Sequence, residues 1–93
     1  MNEKRGRVPL WSGEDEQMEK ETYRYKIRLK STADVIAFTK TAARCTQEVW
    51  LVNGRHRLSA KSYLGVALAR VSWEEVWVEA GYDCYFDFER FLA

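Results

Sequence analysis

The sequence is poor in the residues that staple a fold, hold a metal or cross a membrane. It has two cysteines, Cys45 and Cys84, far apart and in no C-x-x-C spacing. That excludes a disulfide framework and a cysteine-based metal or redox motif. Its one histidine, His56, adds too little for a multi-ligand metal site. Neither metal nor cofactor is expected. No apolar run approaches the roughly 20 residues of a membrane span. The opening Met-Asn-Glu-Lys-Arg lacks the apolar stretch of a signal peptide. The expectation is therefore a cytoplasmic protein without a membrane partner. No charge sign dominates either: 15 Lys and Arg stand against 14 Asp and Glu, a formal net charge of +1. A nucleic acid or an acidic membrane is not the partner such a balance advertises.

What is present points to one folded domain. The chain has 93 residues, 46% of them hydrophobic, with four Trp, five Tyr and four Phe. That is enough for a single modest core. Residues 1–21 hold the only proline, Pro9, together with Gly6, Gly13 and the acidic run Glu14-Asp15-Glu16. They show no period and read as a flexible tail with Trp11 as its one large apolar anchor. The domain is expected over 22–93.

From Tyr23 the pattern sharpens. Tyr23, Tyr25, Ile27 and Leu29 alternate with Arg24, Lys26, Arg28 and Lys30, the period of a half-exposed strand. Ser31 to Asp34 supply capping side chains, and Val35, Phe38, Ala42 and Cys45 follow at helical spacing. Val49 to Val52 form a short strand, Asn53-Gly54 a hairpin signal, and Arg57 to Ala60 the return strand. Ser62 opens a short helix bearing Leu64, Leu68 and Val71. Glu75 to Glu79 form a fourth strand that Gly81 breaks. Asp83 is placed to cap a last helix whose Cys84, Phe88, Phe91 and Leu92 share one face. The order β-α-β-β-α-β-α fits an α+β open-faced sandwich with helices on one side of a four-stranded sheet, or a ferredoxin-like fold.

The stretch Asn53-Gly54, then Ser59-Ala60-Lys61-Ser62-Tyr63-Leu64-Gly65-Val66, resembles the HPr family of sugar-phosphotransferase phosphocarriers at its hairpin and Lys-Ser regulatory motif. The element order agrees over roughly residues 22–93. The resemblance implies an antiparallel sheet of order 1-4-2-3 with three helices on one face. It also implies that Ser62 matches a serine that a dedicated kinase phosphorylates in Gram-positive HPr-like proteins. One departure is decisive for chemistry. HPr proteins join the first strand to the first helix by Gly-x-His-x-Arg-Pro-Ala, whose histidine carries the phosphoryl group. Here that junction reads Leu29-Lys30-Ser31-Thr32-Ala33-Asp34-Val35, with no His or Arg.

The candidates follow. Ser31 and Thr32 occupy the degenerate junction, and helix capping explains both. An alcohol there does not form the labile phosphoramidate of a transferable donor. His56 lies in the hairpin between Arg55 and Arg57, the setting of a solvated side chain. Ser62 is the phosphorylation candidate, with simple capping as the competing account. Lys61, Tyr63 and Leu64 flank it as an interaction surface. Strand parity sends Trp50 and Trp77 to the uncovered sheet face, a second candidate surface and a route to a homodimer. The basic stripe Arg24 to Lys30 reads as the wet sheet face, neutralised by Glu75 and Glu79. The resulting expectation is a non-enzymatic, regulatory protein-interaction module. Its partner would be a regulator, a kinase or a phosphotransferase component. The competing expectations are a phosphocarrier with a non-standard acceptor and a binder of small anions or nucleic acid.

Overall fold

The computed structural model describes residues 21–93 of the chain. Strand β1 (Tyr23–Ile27) leads into helix α1 (Thr32–Arg44), the hairpin of β2 (Val49–Asn53) and β3 (His56–Ser59), helix α2 (Tyr63–Ser72) and strand β4 (Val76–Ala80). The sheet has four strands in the order β1-β4-β2-β3, and every neighbouring pair is antiparallel. The protein is thus α+β, with the strand order expected. The tail expected over 1–21 lies outside the described residues, apart from Glu21.

Each element has a local cause. β1 alternates as its sequence does, and its charged side chains are exposed. Ser31 caps α1, its Oγ accepting from the Asp34 N–H at 3.2 Å. Asp34 in the first turn and Arg44 in the last suit the helix dipole. In the hairpin Asn53 pairs with His56, which leaves Gly54-Arg55 as the loop. Gly54 has φ of 58°, the left-handed region where a two-residue turn needs glycine.

The core lies between the sheet and the helices. Val35, Phe38 and Ala42 of α1 meet Val49 and Leu51 of β2, Val76 and Val78 of β4, and Val66 and Ala69 of α2. Phe38 is its centre, fully buried, with its ring 5.1 Å from that of Phe88 and edge-on to Phe91 at 5.5 Å. Burying one such side chain contributes roughly 1.5–3 kcal/mol. Thr39 is the one polar residue buried among the described residues. Its hydroxyl donates to the Ile36 carbonyl at 3.1 Å, so it carries no unpaired donor inside.

The expected third α-helix is not formed. After β4 the chain makes turns and a 3₁₀ helix at Glu89–Phe91. Cys84, Phe88 and Phe91 are buried as a helical face would bury them. Side-chain bonds and the sheet edge take the backbone elsewhere, however. Asp83 accepts from the Tyr25 hydroxyl at 2.8 Å and from the Tyr85 N–H at 3.1 Å. Farther on, the Arg28 N–H donates to Phe91 O at 2.7 Å and the Ala93 N–H to Lys26 O at 3.0 Å. The C-terminal residues therefore run beside β1 and cover its outer edge, leaving room only for a tight last turn.

Candidate functional site

Helix α2 is amphipathic in an unusual sense. Its inner face is built from small residues, with Val66 and Ala69 buried against the core. Its large residues point outward: Leu64 is 78% exposed, Leu68 65%, Val71 70% and Tyr63 42%. Leu64, Leu68 and Val71 recur at i, i+4 and i+7, so they form one stripe on one side of the helix. Arg70 is the only charged residue on α2. It turns away, with Nε donating to Leu29 O and Nη2 to Lys30 O, both at 3.0 Å. The outer surface of α2 is left apolar and uncharged.

Ser62 stands at the start of this helix and is exposed. Its Oγ accepts from the Gly65 N–H at 3.2 Å and its carbonyl from the Val66 N–H at 2.9 Å. A side chain at Gly65 would crowd that cap, since an added Cβ would lie 3.2 Å from Ser62 Oγ. The local Ser-Tyr-Leu-Gly order is therefore a capping requirement in its own right. Lys61 does not lean over Ser62. Its Nζ donates to the Cys45 carbonyl at 3.2 Å, and it ties α2's entry to the end of α1.

The β1–α1 junction is capped by its own residues. The Lys30 N–H donates to Asp34 Oδ2 at 2.8 Å and the Asp34 N–H to Ser31 Oγ. A carboxylate thus lies in the first turn of α1, where its charge disfavours a phosphoryl group. Ser31 and Thr32 are exposed. His56 lies far along the chain in the hairpin, exposed, with its ring stacked on Trp73 at 5.9 Å.

The open sheet face carries Trp50 and Trp77, both half-buried. Trp50 pairs with Glu79 and Trp77 with Val52, so the two indoles are diagonal neighbours. Arg57 lies over the Trp50 ring at 4.3 Å, and the Trp77 indole N–H donates to Glu75 at 3.2 Å. Arg24 pairs with Glu79 at 3.1 Å and Lys26 with Glu75 at 3.6 Å, so cross-strand carboxylates offset two cations of the basic stripe.

Sequence reasoning missed one polar cluster, at the far end of α1. The Tyr82 hydroxyl donates to Asp87 at 2.9 Å and lies 3.0 Å from the half-buried Cys45 thiol. Burial comes first, and these two contacts add to it, in pushing the Tyr82 hydroxyl's pKa well above its ordinary value. A cavity of about 570 Å³ opens beside it, with Arg44 and Arg90 on its rim. Cys45 and Tyr82 are 37 residues apart, so nothing in their spacing announces the contact.

No group of three or more His, Cys, Asp or Glu among the described residues could hold a metal ion, and no helix there is long and apolar enough to cross a membrane. No family model, curated protein or solved structure matches the chain.

Proposed function

We propose that this chain is an HPr-like domain that does not carry phosphoryl groups and works as a protein-docking module. Its contact surface is the outer face of α2 and its regulated position is Ser62. The observation that carries the proposal is the uncharged stripe Leu64, Leu68 and Val71, left in water beside an exposed serine. An apolar stripe held outward on a packed helix is what a protein interface requires. The strand order 1-4-2-3 and the Lys61-Ser62-x-Leu64-Gly65 motif support the kinship.

The site has a simple regulatory logic. A phosphate on Ser62 adds about two negative charges at a helix N-terminus, where free N–H groups and the dipole favour it. The helix is retained and the docking surface changes. Lys61 is bound to Cys45 O, so a partner supplies the cation that meets the phosphate. The fitting partners are a transcriptional regulator, a serine kinase or a phosphotransferase component, in the cytoplasm. Phosphoryl carriage is the less favoured reading, because the Asp34 carboxylate lies in the first turn of α1 and the junction holds no histidine.

The test is incubation with an HPr-type serine kinase and ATP, then mass spectrometry of the Ser62 peptide. Added phosphate on Ser62, with circular dichroism unchanged, is the expected result. No phosphate there, under conditions that fully modify a genuine HPr, leaves Ser62 as a cap alone. In parallel, the upstream phosphotransferase enzyme and phosphoenolpyruvate should place no acid-labile label on the chain. Label that vanishes in His56→Ala would restore the carrier reading.

A further inference from the structure

We infer that the cavity at the far end of α1 is a binding site for a phosphate monoester with an aromatic body, held by Arg44 and Arg90. No residue that lines it belongs to α2, so the site stands apart from the docking surface. Its volume, about 570 Å³, is that of a small-ligand pocket. Three segments bound it: the last turn of α1, the loop after that helix, and the turns and 3₁₀ helix that follow β4. Its charged lining residues are two arginines and one aspartate. Asp87 is engaged by the Tyr82 hydroxyl at 2.9 Å. Arg44 and Arg90 are exposed and make no ion pair among the described residues.

The two guanidiniums come from distant segments and line one cavity. A monocarboxylate brings one charge to them. A phosphate monoester brings about −1.5 to −2 and three acceptor oxygens, enough for both. Arginine is the side chain whose planar fork matches such oxygens bidentately. The end of α1 does not oppose an anion as a bare helix C-terminus would. Three carbonyls there are taken: Thr41 O accepts from the Cys45 thiol at 3.4 Å, Ala42 O from the Cys45 N–H at 3.1 Å, and Cys45 O from Lys61 Nζ at 3.2 Å. Lys61 also adds a third cation at that end.

The aromatic body has its own partner. Phe86 lines the cavity and is 81% exposed. The turns after β4 bury Cys84 and Phe88, and the residue midway between them is left in water. Its ring stands edge-on to Tyr85 at 5.2 Å. A large ring in water beside two cations suits a ligand with one apolar and one anionic end. The ligand's ring packs on Phe86 while the guanidiniums take its oxygens.

The experiment is a heteronuclear NMR titration of the full chain with phenyl phosphate. Amide shifts should saturate and centre on residues 44–47 and 82–90. Arg44→Gln and Arg90→Gln should each weaken binding at least about tenfold, with circular dichroism unchanged. Lys40→Gln removes a cation that is exposed on α1 but does not line the cavity. It should change affinity by less than about twofold. Phe86→Ala should weaken phenyl phosphate about fivefold and leave inorganic phosphate unchanged. Benzoate, with the same ring and one charge, should bind at least about tenfold more weakly than phenyl phosphate. Absence of saturable shifts below about 10 mM overturns the inference. So do shifts spread along the basic row of β1, or an equal loss in Lys40→Gln. Benzoate binding as tightly as phenyl phosphate overturns the assignment to a phosphate.

Discussion

The uncovered sheet face and the outer face of α2 both present large apolar residues to one side of a thin layer, yet only α2 leaves them in water. On the sheet, β-strand neighbours sit about 5 Å apart, close enough for long side chains to shelter an indole. Arg57 covers Trp50, Glu75 holds Trp77, and Val52 between them is only 5% exposed. On α2 no element among the described residues covers the outward stripe, and Arg70 is bound to the Leu29 and Lys30 carbonyls. The same residue types are thus half-buried in one place and exposed in the other. What decides is whether an adjacent strand supplies a stem to lie across them.

The sharpest way to break this comparison is to charge each side of α2 in turn. Val66→Asp puts a carboxylate where the side chain is wholly buried. It should cost at least about 4 kcal/mol and unfold most of the protein. Leu68→Glu, two residues on and facing out, should change stability by less than about 0.5 kcal/mol. Chemical denaturation of both variants checks the pair. Comparable losses would mean that the stripe is core.

Trp50→Ala tests the sheet face. It removes a half-buried ring and the surface on which Arg57 rests. Stability should fall by about 1–3 kcal/mol, read from chemical denaturation. An unchanged midpoint would mean that the ring is not sheltered on the sheet.

A third, smaller effect belongs to the seam beneath β1, read out by pH. Burial first, then the Asp83 carboxylate, pushes the Tyr25 hydroxyl up to about 12. Burial pushes the Cys84 thiol from 9.0 to about 11. Both groups are neutral when protonated, and both hold their proton more tightly folded than unfolded. Their contribution is therefore complete below pH 9 and is lost as pH rises from about 9 to about 12. The urea midpoint should fall across that window. Cys84→Ser should remove only the earlier part of the fall, since Tyr25 titrates later.

The smallest effect is expected for Arg24→Ala. The Arg24 side chain is 57% exposed where it meets Glu79, and such pairs contribute less than about 1 kcal/mol. A larger loss would show that the charged rows hold the sheet face together and do not merely shelter it.

Much of this architecture was legible in the sequence because its signals are local. The alternation from Tyr23 to Lys30 reads directly as β1 and its extension. Asn53-Gly54 announces the hairpin, whose two-residue loop is Gly54-Arg55, and Ser31 and Ser62 stand where caps stand. The last helix was not legible. Its buried set, Cys84, Phe88 and Phe91, has helical spacing, but the bonds that divert the backbone come from Tyr25, Lys26 and Arg28. Those residues lie near the other end of the domain. The Cys45–Tyr82 contact was hidden for the same reason, being made between segments the chain separates. Of the interaction surface, Lys61, Tyr63 and Leu64 were visible as neighbours of Ser62, and Trp50 and Trp77 as a parity pair. Their exposure was not visible, since it depends on what packs beside them.

The sequence by itself determined the four strands, the first two helices with their caps and turns, and a β1–α1 junction without histidine. Each of these is set by residues within a few positions of one another. Only the tertiary structure decided which apolar residues stay in water and that Lys61 is bound to the end of the other helix. Burial and partner choice are properties of residues brought together from distant positions. The turn of α2 that hides Val66 and Ala69 is also the turn that holds Leu64 and Leu68 out.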